Sequence, residues 1–133
     1  MNTRTANLIT VIKDAASPAF AISGITPPPI PSYAFANSPN PWVTVQETHS
    51  KEEENLVELS GIRRSVMQVN CWSGDYEASG ELREQIKFYL LSFKGSAGDS
   101  AIASVRHGSD HELFDGERQL YQAILILFVW WSD

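Results

Sequence analysis

Cysteine is nearly absent: the 133-residue chain has only Cys71, and it has only three histidines. One thiol excludes an internal disulfide framework. Cys71 lies inside an alternating strand pattern, where it reads as a small core hydrophobe in a reducing compartment. An excess of base is also missing. Ten Lys and Arg face 16 Asp and Glu, for a net charge of −6. The only adjacent basic pair is Arg63-Arg64, so the chain lacks the basic stripe of a general duplex-binding surface. No apolar run is long enough to cross a bilayer. The longest, Leu120 to Trp131, is interrupted by Gln122 and falls short of the ~20 residues a spanning helix needs. Met1-Asn2-Thr3-Arg4-Thr5 leads into a mixed segment rather than a signal-peptide core. Together these absences predict a soluble intracellular protein with no membrane partner.

The usual constellations of catalysis are missing too. His107 and His111 are four apart around Asp110, a metal-ligating spacing if the segment were helical. Gly108-Ser109 between them makes the segment read as a loop, and no third ligand is evident. His49, beside an acidic loop, reads as exposed. Cys71 sits on the apolar Met67/Val69 face with nothing local to activate its thiol. Gly95-Ser96-Ala97-Gly98 lacks the Lys-Ser/Thr pair of a phosphate loop. Glu77, Glu81 and Glu84 read as the solvated face of a helix. The expectation is a protein that is not an enzyme, with no catalytic, cofactor-binding or metal-binding residues.

What is present is a globular composition, 43% hydrophobic and 11% aromatic, sized for a single domain spanning 1–133. Arg63 to Phe93 is the clearest stretch. Ser65 to Trp72 alternates in period two, with Met67, Val69 and Cys71 facing one way and Gln68, Asn70 and Trp72 the other. Ser73-Gly74-Asp75 breaks this strand, and Ser73 or Asp75 supplies a helix cap. Ala78, Leu82, Ile86, Tyr89 or Leu90, and Phe93 then form one apolar helical stripe, with Gly95 as a stop. Within the helix, Glu84 and Lys87 are spaced to pair.

Leu8, Ile9, Ile12, Ala15 and Ala16 predict a short N-terminal helix over residues 3 to 16, with Lys13 and Asp14 on its wet side. All seven prolines fall between Pro18 and Pro41, an extended segment that cannot enter a sheet interior. Its apolar residues allow either a loop packed across its own domain or an arm on a neighbouring subunit. Pro27-Pro28-Pro29 also matches a ligand for proline-recognition modules. Trp42 to Thr48 reads as a strand, Lys51 to Glu54 as a charged hairpin tip, and Leu56 to Leu59 as a further ladder segment. Lys94 to Ser100 reads as a small-residue loop and Ile102 to Val105 as a modest strand. His107 to Glu117 reads as a polar loop closing on the Asp115-Gly116 turn. Leu120 to Trp131, apolar on both faces, reads as a strand, with Trp130 and Trp131 reaching an edge or interface.

Arg63 through Ala78, an Arg lead, a Val-Gln-Val strand ending in Trp, a turn and a Tyr-x-x-Ala helix start, resembles the strand-to-helix signature of the small tail-terminator or tail-completion proteins of long-tailed phages. Leu82, Ile86, Leu90 and Phe93-Lys94-Gly95 continue in step, and Leu113-Phe114-Asp115 and Tyr121 to Trp131 resemble the family's last loop and terminal strand. The likeness covers residues 42 to 131. The proline-rich segment at 18–41 departs from it in length and composition.

The resemblance implies an α+β fold: a mostly antiparallel sheet of about four strands with a long central helix and a short N-terminal helix packed on it. It implies a virion structural protein forming a ring, typically a hexamer, at the head-proximal end of the tail. Its partners would be further copies of itself, the tail-tube protein and the head–tail connector, with DNA only passing through the lumen and the host cytoplasm as the place of assembly. A head-closure component is the variant within this class, and a small ligand-binding α/β domain with a pocket under the proline-rich segment is the alternative. The expected interface residues are Pro27, Ile30, Tyr33 and Phe35 of the arm, Lys51, Glu52, Glu53 and Glu54 of the acidic loop, and His107, His111, Glu117, Trp130 and Trp131.

Overall fold

The computed structural model describes residues 3–15, 21–29, 41–51 and 62–132. Helix α1 (Thr3–Ala15) is followed by strands β1 (Gly24–Thr26), β2 (Trp42–Lys51) and β3 (Ile62–Ser73). Helix α2 (Tyr76–Leu91) then leads to β4 (Gly95–Ala97), β5 (Ser100–Asp115) and β6 (Leu120–Ser132). All six strands join one curled, half-barrel sheet in the order β1-β2-β3-β6-β5-β4. Only the β1–β2 pair is parallel.

The expected architecture of about four strands around a central helix is therefore wrong. The sheet is mixed, has six strands and dominates the molecule, and the helices lie on one face of it. Two of the additional strands, β1 and β4, are three residues long, too short to show a period. The segment expected as a loop from Lys94 to Ser100 contains β4 and its turn into β5. The expected polar loop from His107 to Glu117 is mostly the outer half of β5, which continues as strand to Asp115.

The covered face holds the core. Val43 and Val45, Met67, Val69 and Cys71, and Leu125, Leu127, Val129 and Trp131 are buried there against Leu8, Val11 and Ile12 of α1 and Leu82, Ile86 and Leu90 of α2. The alternation read in β3 is thus the core-facing pattern. Burial pushes the Cys71 thiol up to about 12, against a small opposing pull from Arg83. The structure places Trp131 in this core and not at a surface. It is 0% exposed and donates its indole N–H to Ser65 Oγ at 2.6 Å. β6, flanked by β3 and β5, is an interior strand; Leu125, Leu127, Val129 and Trp131 face the core, and Ile126, Phe128 and Trp130 lie half-buried on the other face.

Both helices form where capping and periodicity direct them. The Asp75 side chain accepts from Glu77 N at 3.2 Å, and Ser73 Oγ accepts from Asp75 N at 3.0 Å. Ser79 takes the buried position expected for Ala78, and the helix ends at Leu91 with Ser92 as its cap, short of Gly95. α1 is tied to β2 where Arg4 pairs with Glu47 at 3.3 Å and Thr5 Oγ1 accepts from Glu47 N at 3.1 Å.

Candidate assembly surfaces

Two breaks in pairing decide which β5 side chains face α2. The register against β6 shifts between Ile102 and Ser104 and again between His107 and Ser109. Each bulge adds one residue and reverses the in/out alternation beyond it. At the second bulge, a side chain at Gly108 would meet Ile126 O at 2.9 Å and Phe128 Cε2 at 3.1 Å. Glycine is what lets the strand bend there. As a result His107 and Asp110 share the helix-covered face, opposite Leu127 and Leu125, while His111 lies on the other face opposite Ile124.

Along the covered side, α2 and outer β5 are joined by a continuous polar chain. Tyr76 donates to Glu112 Oε2 at 2.7 Å, and Glu112 Oε1 meets Arg83 at 3.3 Å. Arg83 also reaches His111 O at 3.1 Å and Glu84 at 3.3 Å. Lys87 bridges Glu84 at 3.0 Å and Asp110 at 3.2 Å, and Asp110 accepts the His107 ring nitrogen at 2.8 Å. The Glu84–Lys87 pair expected from spacing is present. The hydrogen bond to Glu112 and its negative charge raise the Tyr76 phenol. Burial pushes the Asp110 carboxyl upward, but the bonds from His107 and Lys87 outweigh it and hold the group below its ordinary value.

Above this chain lies an open groove of ≈ 440 Å³ carrying Glu77, Glu81, Glu84 and Glu112 against the single guanidinium of Arg83. Next to it, Tyr76, Phe114 and Tyr121 line a recess of ≈ 190 Å³, with ring centroids 5.5 Å (Tyr76–Tyr121) and 4.7 Å (Phe114–Tyr121) apart. Phe114 and Leu113 are half exposed at the hairpin tip. There Asp115 Oδ1 accepts from Glu117 N and Arg118 N at 3.0 and 3.2 Å. A third concavity, ≈ 400 Å³, lies beside Ile22 to Thr26 and Trp42, with Lys13 as its charged group.

The opposite sheet face has no described element packed on it. Over β2, β3 and the start of β6 it carries a polar row. Asn70 Oδ1 accepts from Gln68 at 2.8 Å and from Gln122 at 3.0 Å, and Thr44 Oγ1 accepts from Asn70 at 3.1 Å and Trp72 at 3.0 Å. Toward the other end the row gives way to Ile126, Phe128 and Trp130. The Arg64 guanidinium lies 5.4 Å over the Phe128 ring and that of Arg106 lies 6.0 Å over Trp130, cation–π geometry in both cases.

The expected interface residues fall in different places. Ile30, Tyr33, Phe35, Glu52, Glu53 and Glu54 lie outside the described residues, as does Leu56 to Leu59. Pro27 follows β1 and is half-buried, and Lys51 closes β2. His107 belongs to the ion-pair chain. His111 meets Ser109 Oγ at 3.0 Å on the uncovered face, Glu117 is exposed in the turn, and Trp130 lies beneath Arg106. The two histidines point to opposite faces, and no group of three or more His, Cys, Asp and Glu able to hold a metal occurs among the described residues. No described helix is long and apolar enough to cross a membrane. The sequence reading missed the Arg64/Arg106 aromatic surface and the recess at Tyr76. The signal for the first was present: Phe128 and Trp130 alternate with the core residues Leu127, Val129 and Trp131.

With the strand order and surfaces defined, the chain can be set beside solved structures. A chain in the virion of a native gene transfer agent (GTA) particle superposes with a TM-score of 0.56 at 8% sequence identity, covering 98% of this chain and 89% of that one. The likeness is one of fold. No protein-family model matches the sequence, and no curated protein matches it.

Proposed function

We propose that the chain is a structural protein of a phage-like virion. Within that class we assign it to the ring that ends the tail tube and joins it to the head connector, a tail-terminator or tail-completion role without catalysis. The observation that carries the reading is the fold likeness to a chain of the GTA virion over nearly the whole length. The Arg63–Ala78 signature adds to it, since those residues form β3, which pairs with both β2 and β6, the capped turn and the first turn of α2. Partners on this reading are further copies of the chain, the tail-tube protein and the connector, with assembly in the host cytoplasm and a final place at the head-proximal end of the tail.

The test is imaging of the purified chain mixed with tail-tube protein. The reading expects rings seated at one end of the tubes. Binding to isolated connectors with no affinity for tube ends would move the chain to head closure, and binding to neither would remove it from the joining region.

A further inference from the structure

Charge is divided unevenly between the two sides of the described sheet. Among the described residues of the uncovered sheet face, register places Arg64, Arg106 and His111, and the only carboxylate is Asp115 at the far hairpin tip. The side bearing α2 carries the groove with four carboxylates and one guanidinium, and farther along the helix Phe88 is 72% exposed and Leu91 38%. Each side thus joins an excess of one sign of charge to apolar surface: half-buried Ile126, Phe128 and Trp130 with the arginines, and exposed Phe88 and Leu91 with glutamates of which Glu84 and Glu112 already pair with Lys87 and Arg83. Exposed apolar groups rimmed by charge mark interaction surfaces, a description that Phe88 and Leu91 meet directly and the half-buried aromatics of the other face meet in part.

We propose that these two sides are complementary halves of one interface, the uncovered face of one copy receiving the α2 flank of a second. The inference rests on the ring reading above and says how the ring is built. The two patches lie on opposite sides of the sheet, so a twofold pair cannot bury both kinds together, and a single contact between unlike patches leaves one of each open. A head-to-tail contact instead repeats from subunit to subunit and closes when its rotation allows. Charge sets the register of such a contact and apolar burial holds it.

Arg106 and Glu81 are the residues to exchange. Both are exposed, and neither takes part in the ion-pair chain between α2 and β5. Size-exclusion chromatography with light scattering on the full chain should show a concentration-dependent oligomer. Arg106→Glu and Glu81→Arg should each raise its dissociation midpoint about tenfold or more. An equimolar mixture of the two variants should recover the native mass, because each repairs the other's junction. Arg106→Gln, with circular dichroism as a folding check, should give a smaller loss in the same direction.

Native-like assembly by both reversals, or a mixture that stays dissociated while its components are folded, overturns the inference and leaves the ring reading standing. A native chain that never self-associates, even in the presence of tube ends, overturns both. Arg106→Glu that assembles normally but loses binding to a single-stranded oligonucleotide assigns the face to nucleic acid and overturns the self-docking inference.

Discussion

β3 and β5 run along the two edges of β6, and they hold it in different ways. β3 pairs without a break from Ile62↔Ser132 to Ser73↔Tyr121. Its Met67, Val69 and Cys71 are fully buried, so that side is held by packing. β5 pairs over a similar length with two register shifts. Only Ile102 and Val105, near its start, are buried apolar residues, and its outer half is fixed to α2 by hydrogen bonds and ion pairs. An unbroken strand makes the core, and a twice-bulged strand distributes charge between the two faces of the sheet.

If the β3 side is the packed one, deletions there cost most. Trp131→Ala, which empties a fully buried site and removes the bond to Ser65, should destabilise by about 3–5 kcal/mol in urea unfolding. A loss below ~1 kcal/mol would mean that the packed side has been misplaced. Gly108→Val attacks the bulge that sets β5 apart. With backbone 2.9 Å from the new Cβ, it should cost about 1–3 kcal/mol and disturb amide exchange in outer β5 before β3. Gly80, by contrast, has open space around its Cβ position in α2. Gly80→Ala should stabilise by about 0.5–1 kcal/mol, seen as a raised melting temperature.

The smallest effect belongs to the polar chain. Asp110→Asn should cost roughly 0.2–1 kcal/mol near neutral pH, the range of screened, partly exposed pairs. Because the folded pKa of Asp110 is lowered, the ionised pair contributes fully above the ordinary value of 3.8. That contribution is lost as pH falls below it through the folded value. Native and variant stabilities should therefore converge in acid, as urea titrations at stepped pH would show. A gap that persists at the lowest pH would point to packing instead of charge.

The same contrast explains what could be read in advance. Strict alternation from Ser65 to Trp72 made β3 legible, and a capping residue followed by period-3.6 hydrophobicity did so for α2. In sequence β5 reads as ending after Val105 because its bulges reverse the alternation, so that Ile102 and Val105 lie three apart on one face and His107 and His111 four apart on opposite faces. A glycine with a polar neighbour, as at Gly108-Ser109, signals a loop and a bulge equally in sequence, and only pairing with β6 separates them. Trp131 reads as reaching an edge or interface because so long a strand outruns a small core, and length does not say which of two adjacent tryptophans turns inward. Three-residue strands such as β1 and β4 carry no period at all. The arginine–aromatic face is assembled from three strands, and no single stretch of sequence contains it.

The central claim is that this chain ends a tail tube. It is tested most directly by the length distribution of tubes polymerised from tail-tube protein in its presence and absence. The account predicts that substoichiometric amounts of the chain arrest growth, with rings at the ends of shortened tubes. Tubes of unchanged length with bare ends would contradict it.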